Sequence, residues 1–266
     1  MVTIVQPKIV VDPVDIEIEI EISGLSKIYE TKNSSFHALE DVSLYVKNEE
    51  FVSILGPSGC GKSTILRILA GLEEATSGSV KVSGEEVQGP SVKRGMVFQS
   101  YTLFPWLTVR ENIEFGLKLK GISAKERKDI SDKYLELVGL ERFANSYGKE
   151  LSGGMKQRVA IARSLANNPE VLLMDEPFGA LDAQTKQSMQ QLLLDIWKKE
   201  KTTIVFITHD IDESIFLSQR IYVMDARPGK IKEEINADLQ LFKNGELVEV
   251  DRFMKLKKHI ITLLKH

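Results

Sequence analysis

The chain holds 266 residues, 42% hydrophobic and 27% charged, with a formal net charge of −3, a composition that allows a proper globular core and excludes a global basic field for nucleic acid or acidic lipid. Its one cysteine, Cys60, excludes an internal disulfide framework and fits a reducing compartment. No apolar run approaches the ~20 residues that span a bilayer and no basic-then-apolar leader opens the sequence, so work at a membrane is expected to need another chain for the membrane part.

Residues 1–15, with Pro7 and Pro13, read as an N-terminal extension. From Ile16, IEIEIEI alternates strictly and predicts a strand with one buried face. VSLYV (42–46) and FVSILG (51–56) predict further strands, and shorter ones fall at 79–83 and 94–98. FVSILG leads directly into GPSGCGKSTILRILAGL, a glycine loop and then a helix. Val109, Ile113 and Leu117 share one helical face, and AKERKDISDKYLELVGL (124–140) predicts a charged amphipathic helix.

In LSGGMKQR (151–158) the helical spacing of Met155, Val159, Ala162 and Leu165 makes Ser152 an N-cap and puts Gly153 and Gly154 in the first turn. Glycine there costs roughly 1 kcal/mol against alanine, with no local benefit visible in the sequence. Apolar VLLMD (171–175), a helix over 183–199, TIVFIT (203–208), a helix over 210–218 and a strand over 220–224 then alternate. Continuous apolar runs between helices predict parallel strands buried on both faces. The pattern describes an α/β core interrupted by a helical subdomain at about 103–165. The last segment carries the turn RPG (227–229) and a Lys-rich helix (250–265), which either supports a dimer or regulates.

Gly56, Pro57, Ser58, Gly59, Cys60, Gly61, Lys62 and Ser63 match G-x-x-x-x-G-K-[ST] in its confirming context, after an apolar strand and opening a helix. The glycines let successive backbone N–H groups turn toward phosphate oxygens, and the following helix adds favourable potential. Lys62 is expected at the β/γ-phosphates and the Ser63 hydroxyl at Mg²⁺, while Cys60 reads as a small filler rather than a redox group. VLLMDEP sets Asp175 and Glu176 at a strand end, where open α/β sheets bind ligands. Because side chains alternate along a strand, Asp175 can join the Mg²⁺ shell while Glu176 faces the attacking water as base. His209 ends the next apolar strand at the same sheet end, within expected reach of the γ-phosphate. Gln99, after GMVF, is placed to touch the metal or the water through its amide.

The order phosphate loop, Gln99, LSGG, VLLMDEP, GALD and His209 resembles the ATP-binding-cassette (ABC) ATPases over about residues 17–225. The resemblance implies a P-loop NTPase (RecA-like) α/β core with an N-terminal antiparallel β subdomain and an inserted α-helical subdomain. The ATPase domain would cover 16–228, followed by a C-terminal segment, 229–266, with its terminal helix. It further implies ATP and Mg²⁺ as ligands, with Thr64 joining the phosphate loop in nucleotide binding. Tyr29 in SKIYE matches the aromatic that stacks on adenine; the residues alone also allow a strand-end core tyrosine. In the family two such domains dimerise head to tail around two ATPs. Ser152, Gly153 and Gly154 would then meet the γ-phosphate held on the other subunit, and Asp182 in ALD would lie in the loop that crosses between subunits.

In YTLFPWLTVRENI (101–113), Tyr101, Leu103, Phe104, Trp106 and Leu107 cluster around Pro105, as subdomain core or as a groove for a partner's helix. In ABC importers this region receives the coupling helix of the membrane subunit. LFPWLTV, Met155 in place of the commoner Gln, and DARPGKI (225–231) resemble the nitrate/sulfonate/taurine importer subfamily. The resemblance implies ATP hydrolysis that powers import of a small anion such as nitrate, an alkyl sulfonate or taurine. The chain would sit peripherally on the cytoplasmic face of the cell membrane, touch the permease through 99–113 and serve a solute-binding protein indirectly. Hydrolysis is expected to survive Met155. The competing class, soluble ABC ATPases acting on DNA or ribosomes, tends toward coiled-coil insertions, zinc cysteines or paired cassettes. One cassette, one cysteine and no basic surplus argue against that class, and no nucleic-acid partner is expected.

Overall fold

The computed structural model describes residues 17–31, 34–100, 102–226, 228–237, 242–243 and 246–265. The N-terminal extension read over 1–15, Ile16, Tyr101 and Arg227 lie outside the described residues. Two sheets face each other. The first is antiparallel, in the order β2 (Ser34–Lys47), β1 (Ile18–Thr31), β4 (Ser77–Val82), β5 (Glu85–Glu86). The second has six strands, ordered β10 (Lys230–Asn236), β9 (Arg220–Asp225), β3 (Phe51–Leu55), β8 (Thr203–Thr208), β7 (Val171–Asp175), β6 (Arg94–Val97). From β9 to β6 all neighbours are parallel, as the continuous apolar runs predict, and β10 closes the edge antiparallel.

Strand alternation divides the apolar side chains between two layers. Val171, Leu173, Val205 and Ile207 turn toward the antiparallel sheet, where they pack with Ile20, Ile22, Val42 and Leu44 and with Ile65, Leu66 and Leu69 of α1 (Lys62–Leu69). Leu172, Met174, Phe206 and Phe51 turn the other way, onto the helical region. There α2 (Val109–Leu119), α3 (Ala124–Val138) and α4 (Gly153–Leu165) bury Val109, Ile113, Leu117, Leu135 and Val159, and α5 (Ala183–Glu200) adds Met189 and Leu193. The three helices of this region start on side-chain caps. Thr108 makes a reciprocal capping box with Glu111, Ser123 caps α3 and Ser152 caps α4.

A third cluster joins α6 (Ile211–Leu217) and α7 (Val250–Lys265) to β9 through Ile215, Ile221, Val223 and Ile260. A two-residue ladder, β11 (Phe242–Lys243) with β12 (Glu246–Leu247), precedes α7. The alternation read from the sequence places no strand beyond 224, yet β10 pairs along β9 from Lys230 to Asn236. Its polar KIKEEIN pattern hides it, because an edge strand buries little on either face. Arg220 of β9 fastens the layers: it pairs with Glu50 at 3.0 Å and Glu234 at 2.5 Å and lies 4.3 Å from the ring centre of Tyr45.

Candidate nucleotide site

Register sets the site. In the adjacent strands β3, β8 and β7, Leu55 lies opposite Thr208 and Asp175 opposite Ile207, so the three following segments emerge at one sheet end. β3 releases the loop from Gly56 to Gly61, β7 releases Asp175 and Glu176, and β8 releases His209. β6 pairs Val97 with Met174 and brings Gln99 to the same end. Gln99 is exposed there, its amide nitrogen 3.9 Å from where a Cβ on Gly179 would stand.

The loop folds around its own lysine. Lys62 is only 4% exposed, and its ammonium donates to the carbonyls of Gly56 (2.8 Å) and Pro57 (3.0 Å). Pro57, Ser58 and Gly59 stay exposed, while Cys60 is buried and burial pushes its thiol up, which makes it a packing group. Helix α1 begins with no side-chain cap and no acidic residue in its first turn, so its end retains positive potential for an anion. Tyr29 stands beside that helix, its hydroxyl 3.4 Å from the Thr64 hydroxyl and its ring 5.0 Å from the Lys27 ammonium.

The carboxylates separate as follows. Ser63 donates to Asp175 at 2.9 Å. Burial pushes the Asp175 carboxyl above its ordinary value, against the opposing effect of that hydrogen bond. Glu176 lies past the end of β7 with φ 43°, in the left-handed region that a bulky residue adopts only under constraint. Its N–H donates to the Ile207 carbonyl at 3.0 Å, which anchors the turn. One carboxylate oxygen stands 2.9 Å from His209 Nδ1 and the other 3.8 Å from the Lys62 ammonium. The divergence expected from strand alternation therefore arises from a backbone kink, and it delivers Glu176 to Lys62 and His209 at once.

Among the described residues no group of three or more His, Cys, Asp or Glu side chains could hold a metal. Ser63, Asp175 and Gln99 instead offer hydroxyl, carboxylate and amide oxygens. Such a set fits Mg²⁺, which keeps most of its waters and takes remaining oxygens from substrate phosphates.

Helix α4, the signature helix opened by LSGG, stands apart. Ser152 accepts from the Met155 N–H at 3.3 Å, and among the described residues no hydrogen bond or ion pair joins Ser152, Gly153 or Gly154 to the phosphate loop. Gly154 has a local reason that the sequence conceals: a Cβ there would stand 2.6 Å from the Thr185 methyl of α5. Thr185 in turn donates its N–H to Asp182, which caps α5 at 3.0 Å and is exposed. Gly154 and the first turn of α5 are thus packed against one another.

Two features escape the sequence reading. Gly229, seen there only as a turn residue, presses under the phosphate loop, where a Cβ would meet the Cys60 carbonyl at 2.1 Å. Its N–H donates to the Ala38 carbonyl and its own carbonyl accepts from Glu40. Lys186 of α5 pairs with Asp210 (2.6 Å) and with buried Glu213 (2.8 Å), while Glu213 accepts from Thr208. That network braces the strand end and helix cap on either side of His209. Glycine after proline signals a turn but not what the turn packs against, and an isolated lysine on a polar helix gives no signal at all.

A family profile described as "ABC transporter" matches residues 39–179. The chain is 54% identical over 239 residues to the nitrate import ATP-binding protein NrtD of Synechocystis sp., covering 90% of this chain and 89% of that one. It is 50% identical over 220 residues to the aliphatic sulfonates import ATP-binding protein SsuB of Bacillus cereus, covering 83% and 86%. Among solved structures it matches the ATP-binding cassette MJ0796, a dimer in a post-hydrolysis state with ADP and Pi, at TM-score 0.73 and 37% identity, covering 82% of this chain and 99% of that one. The geometry of the sheet end and these likenesses agree: the chain belongs to the ABC transporter family, as an ATP-binding subunit with ATPase activity.

Proposed function

We propose that the chain hydrolyses ATP between two head-to-tail copies of itself and so drives import of a small anion, of the nitrate or alkyl sulfonate class, through a separate permease. One observation carries the catalytic part: a single carboxylate, Glu176, reaches both Lys62 and His209 from a constrained backbone, while its neighbour Asp175 holds Ser63. Glu176 takes the proton of the attacking water, a role worth about 10²–10⁴ in rate. His209 orients Glu176 and meets the γ-phosphate; Lys62 and the N–H groups of Gly56, Pro57, Ser58, Gly59, Cys60 and Gly61 bind the phosphates. Ser63, Asp175 and Gln99 hold Mg²⁺, which when bound neutralises phosphate charge. Tyr29 stacks on the base, with Thr64 beside it. Ser152, Gly153, Gly154 and Asp182 act on the nucleotide of the other copy; Ser152 and Asp182 lie exposed and have no bond to their own chain's phosphate loop.

The import role and the anion are supported by the likeness to NrtD and SsuB. No helix among the described residues is long and apolar enough to cross a membrane; the permease contacts are assigned to the region 99–113, where Gln99, Ser100, Thr102, Pro105 and Trp106 are exposed. A solute-binding protein beyond the membrane completes the system. The test is Glu176→Gln with ATP and Mg²⁺. Phosphate release should fall at least about 100-fold, and a dimer should accumulate on gel filtration. A variant that stays monomeric, or that hydrolyses at the wild-type rate, would refute the assignment.

A further inference from the structure

Tyr29 is held from two directions. On its own strand, the Lys27 ammonium stands over the ring, 5.0 Å from its centre. From the segment that leaves α1, Glu73 pairs with that ammonium at 3.3 Å, and the Glu74 carbonyl accepts from it at 2.7 Å. The two paired side chains are only 15% and 18% exposed, so solvent screens them less than an open surface pair. Glu73 also accepts a hydrogen bond from the Tyr29 hydroxyl, which lies 3.4 Å from the Thr64 hydroxyl. Burial and the Glu73 carboxylate push the phenol above its ordinary value, so it remains a donor at neutral pH. The segment that carries Glu73 is itself fixed at both ends. A Cβ on Gly71 would meet the Gly89 carbonyl at 2.1 Å. Farther on, the Thr76 N–H donates to the Ser26 carbonyl at 2.9 Å and its hydroxyl accepts from the Ile28 N–H at 3.0 Å.

A half-buried tyrosine can turn about two side-chain torsions, and a ligand that stacks on it must stop that motion. Here one ring face is covered by the ammonium and the hydroxyl end is tied to Glu73, so one face is left to a planar ligand. We infer that Lys27 and Glu73 are positioning residues for nucleotide binding: their ion pair, set between β1 and the segment after α1, holds the Tyr29 ring in the pose on which the purine stacks. The inference rests on the stacking assigned to Tyr29 above and adds the groups that order the ring before nucleotide arrives. Neither side chain is assigned to the phosphates, the metal or the attacking water. Their effect therefore falls on the base, alike in the ground and transition states, and appears in KM rather than kcat. An ion pair that only braced the fold would act on every ligand equally.

ATP turnover by the full chain is followed as ADP release, with inorganic tripolyphosphate, which offers phosphates without a base, as the competing ligand. Lys27→Met and Glu73→Ala should each raise KM for ATP about three- to tenfold, with kcat and the tripolyphosphate inhibition constant unchanged. Glu73→Gln, which removes the charge and keeps a hydrogen-bonding group, should move KM the same way by less. The double variant Lys27→Met with Glu73→Ala should be no worse than either single one, because both act through one ring. Lys27→Arg should stay near wild type, since a guanidinium can both pair with the carboxylate and lie over the ring. Tyr29→Ala with a wild-type KM would overturn the stacking reading itself. A raised KM in Tyr29→Ala, beside wild-type values in Lys27→Met, Glu73→Ala and Glu73→Gln, would overturn the positioning inference alone. Variants that lose tripolyphosphate as strongly as ATP would also overturn it, because the pair would then only support the phosphate loop.

Discussion

Gly154→Ala separates the packing duty of the signature helix from its proposed duty toward nucleotide. The new methyl would stand 2.6 Å from the Thr185 methyl of α5, where carbon atoms rest at about 3.5–4.0 Å. Thr185 is β-branched and its N–H is bound to Asp182, so it has little freedom to turn away. Relieving such an overlap costs about 1–3 kcal/mol, and alanine returns about 0.5–1 kcal/mol of helix propensity. The net is a destabilisation of about 0.5–2 kcal/mol, read as a Tm lower by roughly 1–5 °C in calorimetry. Thr185→Ser deletes the opposing methyl and keeps the N–H, so the double variant should return to wild-type Tm or above. Gly154→Ala as stable as wild type, or no rescue by Thr185→Ser, would refute the packing account. Phosphate release by the rescued double variant then isolates the second duty: the proposed contact with the other copy's γ-phosphate requires it to stay impaired.

Lys186→Met leaves Glu213, 5% exposed, without its cation and should cost about 3 kcal/mol, or roughly 6–10 °C in Tm. Burial pushes the Asp210 carboxyl up, but the Lys186 ammonium and the α6 N–H groups hold it below its ordinary value; burial pulls the Lys186 amine down, but the Asp210 and Glu213 carboxylates hold it above its own. The Asp210 contribution is present above the ordinary carboxylate value and lost as pH falls through the lowered one. The Lys186 contribution is present below the ordinary amine value and lost as pH rises through the raised one. The stability gap between wild type and Lys186→Met should therefore close below about pH 4 and above about pH 10.5 and be widest between; a gap independent of pH would sink this account. Asp175→Asn should raise Tm without Mg²⁺, because the folded chain holds a proton on Asp175 more tightly than the unfolded chain does. That stability difference should grow from acid to neutral pH, and Mg²⁺-dependent phosphate release should vanish. A lower Tm at neutral pH would contradict the burial argument.

Much of this arrangement is written locally. The phosphate loop, the cap at Ser152, and the buried runs VLLMD and TIVFIT are short-range patterns, and the structure realises each where the sequence places it. Periodicity and motif spacing thus determined most of the elements, the parallel core and the choice of groups proposed to surround a nucleotide. Tertiary structure decided their mutual positions. Only the alignment of β3, β8 and β7 carries Lys62 to Glu176 and Ser63 to Asp175 across 112 residues of chain. Only the approach of α4 to α5 explains Gly154, and only the return of the chain beneath the phosphate loop explains Gly229. A residue's own preferences are encoded in its neighbours along the chain, whereas the space left for a missing methyl, or the cation that meets a carboxylate, is set by elements that the sequence keeps far apart.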